Sequence, residues 1–80
     1  RYMSNHYVLY SQTLNTGVYR KKKTPDRLFV RDYPNPGDGN YFLAKFRSLF
    51  EAVEARDLVG DFSFDVYEWK NNQLGEKVDV

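Results

Sequence analysis

The sequence predicts a single α+β domain, in which one α-helix packs on one face of an antiparallel or mixed sheet of four to five strands. Three observations predict it. The chain has 80 residues, enough for one domain. Its seven Tyr, six Phe and one Trp can build a small core. One segment with helical periodicity lies among short alternating segments, which gives the order β-β-β-α-β-(β).

The first strand is predicted at residues 6–13, which are rich in β-branched and aromatic residues. Val8 and Tyr10 would point to one side of the sheet and pack beneath the helix. Tyr7 and Leu9 would then point to the opposite side, because successive side chains of a strand alternate.

Two further strands are predicted at residues 18–23 and 27–31. The first connecting turn is expected at residues 15–17, where Gly17 is able to adopt positive φ. Pro25 suits position i+1 of the second turn. In the third strand Phe29 would face away from the helix, on the same side as Tyr7.

A loop is predicted at residues 32–40, because two prolines and two glycines disfavour both helix and strand. A helix is expected from residue 41 to about residue 58, with Asp38 or Asn40 as its N-cap and Gly60 as its stop. Its apolar positions recur at helical spacing on one face: Phe42, Phe46, Leu49, Phe50 and Val53.

The strongest strand prediction falls on residues 61–70, where Phe62, Phe64 and Val66 alternate with polar and aromatic residues. This strand would direct its phenylalanines at the helix. A turn at residues 71–75 and a short last strand at residues 76–80 complete the predicted sheet.

Composition narrows the compartment and the domain limits. The chain has no cysteine, which favours a reducing compartment, and we expect a cytoplasmic protein without membrane contact. Residues 1–5 are expected to be a flexible terminus before the domain at 6–80; one interpretation places a native start at Met3. The net charge is +1, yet residues 1–40 carry +4 and residues 41–80 carry −3.

The residue types needed for catalysis or metal binding are sparse, so we expect no enzymatic activity, no cofactor and no metal. His6 is the only histidine and has no cysteine to form a zinc site with. The segment Gly37-Asp38-Gly39-Asn40-Tyr41-Phe42 resembles the active-site stretch of ovarian-tumour-type cysteine proteases. Tyr41 stands where that family has its catalytic cysteine, so the resemblance implies no nucleophile.

The aromatic surplus predicts a binding function. One helix covers one sheet face, and aromatic residues left on the other face form an apolar patch of the kind that marks a contact surface. The alternative is that these aromatic residues are only structural, because a bulge switches the strand phase or the loops at 32–40 and 71–75 cover that face. We expect a non-enzymatic interaction module that binds itself, as a homodimer, or another protein, through this face or a free strand edge. The predicted contact residues are Tyr7, Phe29, Tyr67 and Trp69, with Leu9 on the same side and the side of Tyr19 left open.

The alternative is a nucleic-acid-binding accessory domain, because one basic cluster lies beside aromatic residues that could stack on bases. Against it stand a sequence pI of about 8.2 and the use of lysine to protect solvated strand edges. The residues of this alternative site are Tyr19, Arg20, Lys21, Lys22, Lys23, Arg27 and Arg31.

Overall fold

The computed structural model describes residues 6–60 and 63–80 and confirms the α+β class, with one helix packed on an antiparallel sheet. In this part of the chain the sheet has six strands, since residues just before the helix form a strand. The elements are β1 (His6–Ser11), β2 (Thr16–Lys21), β3 (Thr24–Asp32), β4 (Tyr41–Leu43), α1 (Leu49–Val59), β5 (Asp65–Lys70) and β6 (Gln73–Val78).

The strands lie in the order β3-β2-β1-β5-β6, with β4 paired to β2 beside β1. β1 and β2 pair only at Tyr10↔Gly17 and Ser11↔Thr16, next to their connecting turn. Beyond that point the two strands diverge, and residues 41–46 fill the gap between them. We call residues 41–46 the wedge segment.

Hydrogen bonds tie the wedge segment to both diverging strands. Its β4 part pairs with β2, and the Ala44 N–H then donates to the Val18 carbonyl at 3.0 Å. At its other end Phe46 and Tyr7 exchange two backbone hydrogen bonds of 2.8 Å each. The wedge segment therefore satisfies backbone groups that the divergence of β1 and β2 would otherwise leave unpaired.

The predicted helical start at residue 41 is wrong, because α1 begins only at Leu49. Ser48 is the N-cap, and its hydroxyl accepts a hydrogen bond from the Glu51 N–H at 3.1 Å. Asp38 instead accepts from the Asn40 N–H within the loop. The spacing of Ser48 and Glu51 is that of a capping box, which outweighs the apolar periodicity upstream.

The C-terminal stop of the helix is confirmed. Gly60 has a φ of 77°, and its N–H donates to the Arg56 carbonyl at 3.0 Å. This is the single-bond left-handed cap that glycine favours, because a side chain is strained at that φ.

Three turns differ in detail from the prediction. Asn15, with a φ of 54°, is the left-handed residue before β2, and Gly17 lies within that strand. Pro25 lies in the edge strand β3, where its missing N–H costs no ladder bond if it faces outward. The β5–β6 turn consists of Asn71 and Asn72, both at positive φ, so β6 starts earlier than expected.

The core lies between α1 and the centre of the sheet. Two alanines of the helix, Ala52 and Ala55, are buried, and their small side chains allow close approach to β1 and β5. The predicted inward direction of Phe64 and Val66 is confirmed, while Phe62 lies outside the described residues. The buried core residues are Leu9, Val18, Ala44, Phe46, Ala52, Ala55, Phe64 and Val66.

The predicted phase of β1 is wrong. Leu9 is fully buried under the helix, and Tyr7 packs against the same cluster. Val8 points to the opposite side, but it too has no exposed surface. Because β1 is central and buried on both sides, alternation of apolar and polar residues could not reveal which side faces the helix.

The helix contributes fewer aromatic residues to the core than its apolar spacing suggests. Phe46, which precedes the helix, is buried. Phe42 and Phe50 are 38% and 69% exposed. Their exposure follows from the late helix start, which places Phe42 on a strand and turns Phe50 away from the sheet.

Replacing the N-cap should measure how much α1 depends on Ser48. We expect Ser48→Ala to lower the free energy of unfolding by about 1 kcal/mol, because the Glu51 N–H loses its acceptor. Ser48→Asp should keep most of the stability, since a carboxylate also caps and favours a helix N-terminus. Urea unfolding followed by circular dichroism measures both. Equal losses in the two variants would contradict this role for the hydroxyl.

Candidate functional site on the open face of the sheet

The sheet face opposite α1 is defined by the strand register. Leu9 and Val66 are cross-strand partners in the core, so their neighbours Val8 and Tyr67 form a pair on the opposite face. In the same way Tyr19 and Phe29 pair on that face. We call this side the open face. Its aromatic residues are Tyr10, Tyr19, Phe29, Tyr33, Tyr41, Tyr67 and Trp69.

The first aromatic cluster lies over β2, β3 and β4. The ring of Tyr41 is 5.6 Å from that of Phe29 and 6.5 Å from that of Tyr19, at interplanar angles of 76° and 77°. Tyr41 reaches this position because β4 pairs Tyr41 with Lys21. Edge-to-face packing of this kind holds the rings in fixed relative positions.

The second aromatic cluster lies over β1 and β5. The Tyr10 ring is 5.1 Å from the Tyr33 ring and 5.4 Å from the Tyr67 ring, again in edge-to-face geometry. Tyr33 follows β3, and its N–H donates to the Asn15 carbonyl at 2.9 Å, which holds the start of the loop against the β1–β2 turn. Trp69, opposite His6, extends the open face along β5.

Cationic side chains lie over several of these rings. The Lys21 ammonium is 4.9 Å from the centroid of Tyr41 and 5.5 Å from that of Phe29. The Arg31 guanidinium is 4.6 Å from the centroid of Tyr41. These are cation–π distances, and the Arg31 guanidinium also donates two hydrogen bonds to the Pro36 carbonyl, at 3.1 and 3.0 Å.

Two more cations border the open face. Arg27 lies 5.7 Å from the Phe29 centroid, and Lys45 lies 5.8 Å from the Trp69 ring. In the described part of the chain the ion pairs are Lys70–Glu68 and Lys77–Asp65. Lys21, Arg27, Arg31 and Lys45 therefore have no carboxylate partner there, and their charge is available to a ligand.

The two sides of the sheet differ in charge. On the open face the described residues include five cations and one carboxylate, Asp65, which pairs with Lys77 at 3.5 Å. The other side carries the carboxylates of α1, and the chain as a whole has a net charge of only +1. The charge asymmetry predicted between the two halves of the chain is therefore also an asymmetry between the two sides of the sheet.

The predicted protein-contact residues do not all lie together. Phe29, Tyr67 and Trp69 lie on the open face, and each is partly buried. Tyr7 lies on the helix side, where it packs against the core and pairs with Phe46. The inverted phase of β1 is the reason, and it also brings Tyr10 to the open face in place of Tyr7.

The predicted basic cluster is divided by the alternation of β2. Lys21 lies on the open face together with Arg27 and Arg31, as does the buried ring of Tyr19. Arg20 points to the helix side, where it lies 5.5 Å from the Phe46 ring and donates to the Pro25 carbonyl at 2.6 Å. Lys22 and Lys23 form the exposed turn between β2 and β3.

Four residues of the open face were missed by sequence reasoning. Tyr10 was placed on the wrong side, Tyr33 was assigned to an unstructured loop, and Tyr41 and Lys45 were assigned to the helix. The capping-box spacing of Ser48 and Glu51 predicts a helix that begins after Ser48, and it would have placed Tyr41 and Lys45 outside the helix. No sequence signal identifies the packing of Tyr33 on Tyr10.

Two tyrosine hydroxyls have raised pKa values. Burial raises the pKa of Tyr19 to about 12, with smaller contributions from Tyr33 and the Asp32 carboxylate. Its hydroxyl donates to the Asp32 carbonyl at 3.0 Å. Burial, and then the proximity of Tyr10, raise the pKa of Tyr33. Both hydroxyls are protonated at neutral pH, so neither phenol repels an anionic ligand.

Within residues 6–60 and 63–80, no group of three or more metal-ligating side chains could hold a metal ion. The one helix in those residues is too short to cross a membrane.

Comparison with protein-family models, with curated proteins and with solved structures finds no match to this chain.

Removing the Tyr19 hydroxyl should change how stability depends on pH. In the parent protein the folded state keeps the Tyr19 proton up to about pH 12, whereas the unfolded state loses it near the ordinary pKa of 10.0. Stability should therefore fall as pH rises through this window, by at most about 1.4 kcal/mol per pH unit from this group. The stability of Tyr19→Phe should not fall in this way, because phenylalanine does not ionise. The variant also lacks the hydrogen bond of the hydroxyl, which stabilises the parent by about 1 kcal/mol at lower pH.

Urea unfolding at about pH 8, 10.5 and 11.5 tests this expectation. At the lowest pH the parent should have a higher free energy of unfolding than Tyr19→Phe. The difference between these two free energies should become smaller as pH rises. Tyr41→Phe is the control, because it removes a hydroxyl from a partly buried ring of the same face. An equal narrowing in the control would contradict the assignment to Tyr19.

Proposed function

We propose that the open face binds single-stranded nucleic acid. The observation that supports this most strongly is the combination, on one side of the sheet, of two aromatic clusters with four cations that have no carboxylate partner. Unpaired bases stack on aromatic rings, and phosphates attract lysine and arginine. This function was the alternative from the sequence, and the geometry favours it over the protein-contact function.

Stacking of a base would replace the cation that now lies over a ring. An exposed cation–π contact is worth about 0.5–1 kcal/mol, whereas stacking of a base on an aromatic side chain is worth about 1–3 kcal/mol. The exchange is therefore favourable at Phe29 and Tyr41. Lys21 and Arg31, once displaced from these rings, remain close enough to reach the phosphates on either side of the stacked base.

A single strand suits this surface better than a duplex. Stacking requires bases whose faces are open, and a duplex hides them. Duplex readers insert a helix or a two-stranded ribbon into the major groove, but α1 lies on the other side of the sheet and carries Glu51, Glu54 and Asp57. These carboxylates would repel phosphates.

The two clusters are separated by a distance that a short oligonucleotide can span. The first cluster lies over β2, β3 and β4 and the second over β1 and β5, with neighbouring strands about 4.8 Å apart. A strand that crossed the sheet from Phe29 to Tyr67 would run roughly perpendicular to the β-strands and pass over the wedge segment between β2 and β1. Four strand spacings make this path about 19 Å long. We therefore place Phe29 and Tyr41 at one end of the path and Tyr67 and Trp69 at the other.

The protein-contact function concerns the same face, and its residue types argue against it. Tyrosine, tryptophan and arginine are common in protein interfaces, but lysine is depleted there. Lys21 and Lys45 lie over aromatic rings in this surface. A protein partner would have to bury or displace both ammonium groups, whereas a polyanion binds them directly.

Binding of a labelled oligonucleotide tests the proposal. We expect an oligodeoxythymidylate or oligouridylate of about 12 nucleotides to bind the parent protein at about 50 mM salt and to bind more weakly at about 200 mM. Fluorescence anisotropy gives the Kd. Phe29→Ala should weaken binding by about tenfold, because it removes a stacking platform. Quenching of the Trp69 fluorescence provides a second, label-free measurement.

A charge-matched pair of variants separates contact from overall charge. Lys21→Ala with Arg31→Ala should reduce the slope of log Kd against log salt by about 1.4, or about 0.7 for each lost phosphate contact. Lys22→Ala with Lys23→Ala removes the same charge from the exposed turn and should change the slope less. No binding at low salt, or equal effects of the two pairs, would overturn the proposal.

Light scattering behind a sizing column tests whether the open face instead binds a second copy of the chain. A dimer whose mass does not change with salt, and which Phe29→Ala dissociates, would assign the open face to self-association instead. Under the nucleic-acid proposal we expect the parent to elute at the same mass as Phe29→Ala.

A further inference from the structure

A groove lies on the helix side of the sheet, opposite the open face, between α1 and the β2–β3 hairpin. The helix packs mainly over β1 and β5, and β3 lies at the edge of the sheet, further from the helix. The groove has a volume of about 240 Å³. Leu28, Phe46 and Ala55 contribute apolar surface to it, and Asp26, Glu51 and Glu54 contribute three carboxylates.

Leu58 is the most exposed large apolar residue of the described chain, with 82% of its surface accessible. It lines this groove and also an adjoining hollow of about 230 Å³ that it shares with Leu28 and Val59. A leucine this exposed adds little to folding. A ligand that covered Leu58 would bury this apolar surface, and the burial would contribute to the free energy of binding.

The charge of the groove is negative and poorly compensated. Arg20 is the one cation lining it among the described residues, and its guanidinium already donates to the Pro25 carbonyl and lies over Phe46. The ion pairs of the described chain include none of Asp26, Glu51 and Glu54. Asp57 adds a fourth carboxylate in a neighbouring hollow shared with Glu54 and Leu58.

We propose that this groove docks a basic amphipathic peptide segment of a partner protein. Apolar side chains of the segment would cover Leu28 and Leu58, and its lysines or arginines would face Asp26, Glu51 and Glu54. Charge complementarity determines this choice, because the same carboxylates repel nucleic acid and anionic lipid surfaces. The inference does not rest on the proposed function, since the open face lies on the opposite side of the sheet.

Binding of a model peptide to the full chain tests the proposal. The probe is a labelled helical peptide of about 14 residues, four turns long, with leucines on one face and lysines on the other. Fluorescence anisotropy measures its Kd, and amide chemical shifts locate the contact. We expect the largest shift changes in Leu28 and in residues 51–58, and little change on the open face. A peptide with glutamate in place of lysine should not bind.

Two variants and their matched controls distinguish docking from nonspecific attraction. Leu58→Ser should weaken binding about tenfold, and Leu14→Ser, which alters another exposed leucine far along the chain, should not. Glu51→Lys with Glu54→Lys should weaken it further than Glu76→Lys with Asp79→Lys, a charge-matched change outside the groove. All of these positions are exposed, and thermal unfolding verifies that each variant folds.

Three results would overturn the inference. These are no binding by the parent, equal losses in the variants and their controls, or shift changes confined to the open face. If Phe29→Ala abolishes oligonucleotide binding and leaves peptide binding unchanged, the two surfaces act separately, as we expect. A groove occupied by a second copy of the chain would appear as concentration-dependent shifts of residues 51–58 without peptide and would also overturn the proposal.

Discussion

β1 and β2 separate after two paired positions, and the gap between them must be closed by hydrogen-bonded chain because it lies in the buried centre of the sheet. The wedge segment closes it through Tyr41–Leu43, the Ala44 N–H and the Phe46–Tyr7 pair. The other features follow from this placement. Tyr41 is brought onto the open face, Phe46 is buried beneath the helix, and the helix can begin only after the segment has left the sheet, at Leu49.

The same constraint explains why the two sides of the molecule differ. α1 follows closely after Phe46, so it packs mainly over β1 and β5 and leaves a groove beside β3. The acidic helix and the apolar groove consequently share one side. On the other side, the described residues place no helix over the rings of the open face, and Lys21, Arg27, Arg31 and Lys45 lie against those rings. Two surfaces of opposite charge thus arise from one short insertion between two strands.

Prediction from the sequence succeeded where a local signal decides the outcome. The fold class, the stop at Gly60 and the inward direction of Phe64 and Val66 all follow from local chemistry or from simple alternation. It failed where tertiary pairing decides. Residues 41–46 have the apolar spacing of a helix but form the wedge segment, and the burial of both Val8 and Leu9 conceals the phase of β1. The positions of Tyr10 and Tyr41 on the open face depend on these two features, so neither residue could be assigned from the sequence.

β2 serves both surfaces with consecutive residues. Arg20 borders the groove and Lys21 lies over the rings of the open face, about 3.3 Å further along the strand. A substitution at one of these two positions can therefore change the charge of one surface without changing the other. A single inserted or deleted residue in this strand would exchange the two sets of side chains and damage both surfaces together. Substitutions in β2 should thus be far less damaging to the protein than insertions or deletions that change the length of this strand.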